Sequence, residues 1–181
     1  MNAALLHSRH IYLDNAATTP TDPRVVETML PYFSDQYGNP SSLYSAGRQA
    51  QNAVRTARET VAAGLGAKPE EIIFTGSGSE ADNLAIRGVM QANRERGRHL
   101  ITSAIEHHAV LETCEALAEE GCEITVMPVD AYGMVDPERL RLALRPDTVL
   151  VSIMHANNEI GTIQPVAELA DVEEWGACHR A

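Results

Sequence analysis

The sequence predicts an α/β protein built on a mostly parallel sheet in three layers. Three observations lead there. Stretches with helical spacing of apolar residues alternate with short apolar runs, the pattern of repeated βα units. The run at 148–154, TVLVSIM, is apolar almost without interruption, as in strands covered on both faces. Glycines stand at the ends of the helical stretches, at Gly66, Gly97 and Gly121, where helices commonly stop.

Each element follows in order. Residues 23–33 read as a short helix, with Asp22 as N-cap and Pro23 at the first helical position, where a missing N–H costs nothing. GNPSS at 38–42 is a loop. Residues 46–65 form a long helix rich in Ala and Arg, ending near Gly64 and Gly66. EIIFT at 71–75 reads as a buried strand, GSGS at 76–79 as a turn, and 80–96 as a helix. The alternation continues with a strand at 99–103, a helix at 107–120, a strand at 122–128, a helix at 137–144 and the strand at 148–154. There is no internal repeat and no linker.

Composition narrows the function. The 181 residues favour one domain and permit two small ones. Fourteen Lys and Arg against 25 Asp and Glu give a net charge of −11, which argues against a grip on nucleic acid or anionic lipid. One Trp, five Tyr and two Phe are too few for a base-stacking platform. No run approaches the ~18 apolar residues of a membrane span. The first ten residues are too polar for a secretory signal. Cys114, Cys122 and Cys178 form no C-x-x-C pair, which suits a reduced, cytoplasmic protein. The chain has a single lysine, Lys68.

Three junctions carry polar residues where an open parallel sheet collects its ligands, past the carboxyl ends of strands. The first is TGSGSE at 75–80, between an expected strand and a helix. Ser77 with Glu80 fits a capping box, and Ser79 with Asp82 fits a second register. The turn is also an anion site, because N-terminal N–H groups and the helix dipole favour negative charge. It is not a Walker A loop, since no G-K-[ST] ends it. Gly76, Gly78 and Ala81 fit G-x-G-x-x-[GA], with Glu106 beyond the next strand, so a dinucleotide is a second candidate ligand; Glu80 in the first turn counts against a pyrophosphate.

The second junction is Glu106-His107-His108, where His107 reads either as a helix cap or as a site residue. A metal centre from His107, His108, His155 and Cys114 lacks recognised ligand spacing. The third is HANNEIG at 155–161, either an Asx-rich turn or amides aimed into a cleft. Ser79, His107 and Asn158 thus converge on one sheet edge, which weighs more than any of them alone.

Together these motifs resemble the cysteine desulfurases of the nitrogen-fixation and iron–sulfur-cluster type, within the class-V aminotransferases. The resemblance runs through YLDNAATTP at 12–20, GNPSS at 38–42, IFTGSGSEADNLAI at 73–86, EHHAVL at 106–111 and SIMHANNEIGT at 152–162, in family order over about 11–170. It implies a fold-type-I pyridoxal-phosphate enzyme, of which this chain would be the amino-terminal part. Residues 1–20 would be an N-terminal arm, 21–170 a partial large domain that binds pyridoxal 5'-phosphate, and 171–181 a divergent tail.

By resemblance, Gly78 and Ser79 would hold the cofactor phosphate, His107 would lie over its ring as the catalytic residue, and Asn158 would reach its phenolic oxygen or the substrate. The implied reaction takes sulfur from L-cysteine to an enzyme persulfide and releases alanine. The implied partners are an iron–sulfur scaffold or other sulfur-acceptor protein and a second subunit of a homodimer. Where the family often has a histidine two residues after GNPSS, this chain has Tyr44.

Three family groups find no counterpart: the Schiff-base lysine, the acid that pairs with the pyridinium nitrogen, and the persulfide cysteine. Lys68 lies before the expected first strand, at the amino edge, and Cys114 and Cys122 read as small core residues. The expectation is therefore a truncated or frameshifted chain with little activity of its own and poor solubility. Two competing functions stay open on the residues alone: a nicotinamide-dependent oxidoreductase domain, and a non-catalytic fragment that pairs with a full-length subunit.

Overall fold

A computed structural model describes residues 11–171. They fall into two compact units, one ending at Phe74 and one beginning at Thr75. Residues 1–10 of the expected arm and the tail after Asp171, with Cys178, lie outside the described residues.

The first unit is helical: α1 (Pro23–Met29), α2 (Pro31–Ser34), α3 (Ser45–Leu65) and a 3-10 turn at Pro69–Glu71. Asp22 caps α1 as expected, its Oδ1 accepting the Arg24 N–H at 2.8 Å. The single helix expected over 23–33 is two, because Pro31 cannot donate an N–H and opens a new helix instead. The GNPSS loop lies close against the start of α3. A Cβ on Gly38 would sit 2.4 Å from the Ala46 carbonyl oxygen, and one on Gly47 2.2 Å from that of Ser42, so only glycine fits at either place. Gly66 ends α3 in the left-handed region at φ 66°.

The strand expected at 71–75 is not formed. Ile72 is extended, at φ −92° and ψ 123°, yet the segment has no ladder partner among the described residues. Ile73 is 67% exposed and Phe74 49%. A strand is a paired object, and apolar content alone does not make one. Here Arg58 donates to the Ile72 carbonyl and lies over the Phe74 ring, 4.9 Å from its centroid.

The second unit is the predicted α/β layer structure: α4 (Gly78–Ala92), β1 (His99–Ser103), α5 (His108–Glu119), β2 (Glu123–Met127), α6 (Pro137–Ala143), β3 (Thr148–Ser152) and α7 (Val166–Ala170). The sheet is parallel, in the order β2-β1-β3. All five residues of the central strand β1 are buried. Successive side chains of a strand point to opposite faces, and β1 divides two cores accordingly. Leu100 packs with Ile86 and Met90 of α4, Val110, Cys114 and Leu117 of α5, and Val149. Ile101 packs on the other face with Met127, Val135, Leu140 of α6 and Leu169 of α7.

Between His99 and Leu100 the β1–β3 register slips by one: His99 faces Thr148 and Leu100 faces Leu150. The extra residue, Val149, therefore shares the first core with Leu150. The amino edge of the sheet is closed by polar groups that satisfy one another. His99 is fully buried, with Nδ1 2.7 Å from Thr148 Oγ1 and Nε2 2.8 Å from Thr125 Oγ1. Burial, more than the nearby Arg145 charge, holds its pKa below the ordinary 6.5. Arg145 grips both carboxylate oxygens of Asp147, at 2.9 and 2.7 Å, and donates to Glu123 at 2.6 Å.

Candidate active site

The opposite, carboxyl edge collects the sequence-predicted residues of the second unit. α4 precedes β1 and runs antiparallel to it, so α4 begins at this edge; α5 begins here because it follows β1, and the 153–163 segment leaves β3 here.

Ser77 is the N-cap of α4, its Oγ accepting the Glu80 N–H at 3.1 Å. The reciprocal half of the expected box is displaced: Glu80 Oε2 accepts the Gly76 N–H, at 2.6 Å, instead of that of Ser77. The Gly78 and Ser79 N–H groups have no acceptor among the described residues, as the first turn of a helix requires. Both residues are exposed, and a Cβ on Gly78 would meet nothing within 4 Å. Two free N–H groups, a serine hydroxyl and open space at a positive helix end fit a phosphate monoester.

His107 is the N-cap of α5. Its Nδ1 accepts the Ala109 N–H at 3.1 Å, so the proton of the neutral ring sits on Nε2. The cap reading is the one observed: the hydrogen bond fixes the ring, and the ring is exposed. His108 lies edge-on to it, centroids 6.3 Å apart.

Glu106 has a different place from the one a dinucleotide site would give it. It is buried at 9% exposure, and its Oε1 accepts the Ser103 hydroxyl at 2.6 Å and the Met154 N–H at 2.8 Å. It ties the end of β1 to the end of β3 and is not directed to a ribose. Asn157 makes a second tie. Its Nδ2 donates to the Ile105 carbonyl at 2.9 Å, and its Oδ1 accepts the N–H groups of Glu159 and Ile160, both at 2.9 Å. Asn158 is exposed. Of the two adjacent asparagines, one makes the Asx turn and the other is presented to solvent.

Glu106 and Asn157 are organisers of the edge that sequence reasoning missed. The available signal was a carboxylate and an amide within a few residues of the ends of β1 and β3, where the chain leaves the sheet.

Cys114 is buried in the first core. Burial first, and the Glu106 charge next, push its thiol up, so it is a poor nucleophile. Lys68 belongs to the other unit, exposed before the 3-10 turn, with its N–H on the Glu71 carboxylate at 2.7 Å. No described helix is long and apolar enough to cross a membrane.

A parallel sheet between helical layers, with a phosphate-suited helix start and a ring-bearing junction at its carboxyl edge, defines a three-layer α/β unit. The chain belongs to the class-V aminotransferase family, whose model matches residues 11–178. Among its relatives it is similar to a cysteine desulfurase of Methanosarcina thermophila, 54% identical over 165 residues, covering 91% of this chain and 41% of the relative. Among solved structures it is similar to a NifS-like protein, with TM-score 0.88 and 43% identity, over 91% of this chain and 45% of that one. It is also similar to a protein solved as SspA in complex with cysteine, with TM-score 0.86 and 42% identity, over 92% of this chain and 48% of that one. The chain thus spans less than half the length of the relatives it matches.

Proposed function

We propose that residues 21–170 form the phosphate-holding and ring-facing part of a pyridoxal-phosphate-dependent cysteine desulfurase. The observation that carries this is the pair of free N–H groups at Gly78 and Ser79 on the same sheet edge as His107 and Asn158, in a chain 54% identical to such an enzyme.

Gly78 N–H and the Ser79 N–H and hydroxyl hold the phosphate. His107, its Nδ1 engaged by Ala109, offers a ring of fixed orientation with a proton on Nε2. Asn158 offers an amide donor to the phenolic oxygen, on a segment that Asn157 and Glu106 hold to the β1–α5 junction. When bound, the cofactor supplies an electron sink next to the substrate's α-carbon; the protein supplies orientation and electrostatics. The substrate is L-cysteine, the sulfur goes to an iron–sulfur scaffold or another acceptor protein, and the working form is a cytoplasmic homodimer of the longer protein.

This chain alone binds the cofactor without turning over cysteine, because its one lysine, Lys68, stands before the 3-10 turn at Pro69–Glu71 and not at any of the three βα junctions. Equilibrium dialysis with pyridoxal phosphate tests the reading. The expected result is reversible binding that inorganic phosphate displaces, with no mass added to the chain by borohydride. Failure to bind, or preference for a nicotinamide dinucleotide, overturns it. A covalent adduct on Lys68 overturns the assignment of that lysine.

A further inference from the structure

The turn before α4 has the glycine spacing of a diphosphate loop, with Gly76, Gly78 and Ala81, yet it does not offer that loop's donors. The reason is Glu80. Its Oε2 accepts the Gly76 N–H at 2.6 Å, while its own N–H donates to the Ser77 hydroxyl at 3.1 Å. Ser77 is extended, at φ −162° and ψ 165°, which turns its N–H away from that of Gly78. The Gly76 N–H faces the helix start, because a side chain of the first turn reaches it, and it is occupied. Gly78 and Ser79 keep N–H groups with no acceptor among the described residues, enough for one phosphoryl group.

Gly76 suits this arrangement. A Cβ there would lie 3.1 Å from Glu80 Oε2 and meet no other group within 4 Å beyond its chain neighbours. The glycine that a dinucleotide fingerprint uses for a tight turn thus makes room here for a carboxylate. Glu80 is exposed, so its charge stands where a ligand arrives.

We propose that Glu80 is a specificity-determining residue: by holding the Gly76 N–H it limits the turn to a phosphate monoester and turns away diphosphates, dinucleotides included. This rests on the reading of Gly78 and Ser79 as the cofactor's phosphate site. Two effects act together. A second phosphoryl group finds its backbone donor taken, and it meets a negative charge in the donor's place. A hydrogen bond to a charged acceptor changes affinity by about tenfold or more. Loss of the Glu80 carboxylate returns that donor to the ligand.

Equilibrium dialysis of the full chain tests this with three probes: inorganic phosphate, inorganic pyrophosphate and pyridoxal phosphate. The unaltered chain binds phosphate and pyridoxal phosphate in preference to pyrophosphate. Glu80→Ala leaves the Ser77 cap in place, and it raises pyrophosphate affinity relative to phosphate by about tenfold or more. Its affinity for pyridoxal phosphate stays within about threefold of the original. Asp82→Asn removes the same charge from the same helix without the Gly76 contact, and it leaves the ratio within about twofold. An unchanged ratio in Glu80→Ala overturns the proposal. So does an equal shift in Asp82→Asn, which would make charge alone the cause. Neither result touches the phosphate-site reading, which stands while the unaltered chain binds pyridoxal phosphate. An unaltered chain that binds none of the three probes sinks that reading, and the proposal with it.

Discussion

The two ends of one sheet treat polar groups in opposite ways. At the amino edge, His99 is shared between the hydroxyls of Thr125 and Thr148, and Arg145 is saturated by Asp147 and Glu123. Those groups answer one another and leave little for a ligand. At the carboxyl edge the residues behind the surface, Glu106 and Asn157, are satisfied, while those in front, Gly78, Ser79, His107 and Asn158, are exposed. A buried polar group without a partner is costly, so groups with spare hydrogen-bonding capacity are tolerated only where water or a ligand can reach them. The contrast separates a self-satisfied polar network from one with spare hydrogen-bonding capacity, with no appeal to residue type.

The largest effect expected is at Glu106. Glu106→Leu strands the Ser103 hydroxyl and the Met154 N–H at the carboxyl edge and costs about 3 kcal/mol, read as a lower urea midpoint; Glu106→Gln keeps an acceptor and costs less. A Leu variant with the wild-type midpoint would show that the tie between β1 and β3 carries no weight. Next is His99→Leu at the amino edge, at about 2 kcal/mol.

His99 also gives the amino edge a pH dependence. Its folded pKa lies below 6.5, so below that pH the unfolded chain takes up a proton that the folded chain refuses. Stability therefore falls as pH drops from about 7.5 to about 5.5, and His99→Leu flattens that part of the slope. Denaturant midpoints across this range check it, and an equal slope in both proteins would sink the assignment.

A paired comparison follows at the asparagines. Asn157→Ala removes four side-chain hydrogen bonds and costs about 1–2 kcal/mol, whereas Asn158→Ala changes stability by less than about 0.5 kcal/mol and weakens pyridoxal phosphate binding. The last comparison is at His107. His107→Ala loses the helix cap, about 1 kcal/mol, while His107→Asn restores the cap without the ring. Asn there should recover stability without recovering cofactor affinity; recovery of both would reduce His107 to a cap.

Legibility in the sequence follows the locality of the cause. β1, α5, β2 and α6 lie within about a residue of expectation, because Gly121, Asp136 and Pro137 mark their limits through local backbone preferences. Segment 71–75 has the composition of a buried strand but needs a partner far away in sequence, and composition carries no information on whether one arrives. α7 gives no sequence signal, since five residues make too little periodicity. At the site, motif and junction point to Gly78, Ser79, His107 and Asn158, and the structure places all four at one edge. Which of Asn157 and Asn158 turns inward is not legible. The answer lies in the Ile105 carbonyl, 52 residues away.

The helical unit before Thr75 has a consequence for how long the chain lasts. The residues that α3 buries are Gly47, Ala50 and Ala62, none with a side chain larger than a methyl group. Burial of so little apolar surface stabilises weakly, so local opening there is cheap while the two-sided core around β1 holds. A protease samples whichever part opens first. The expected first cut therefore falls in the helical unit before Thr75, however well the sheet that follows it is packed.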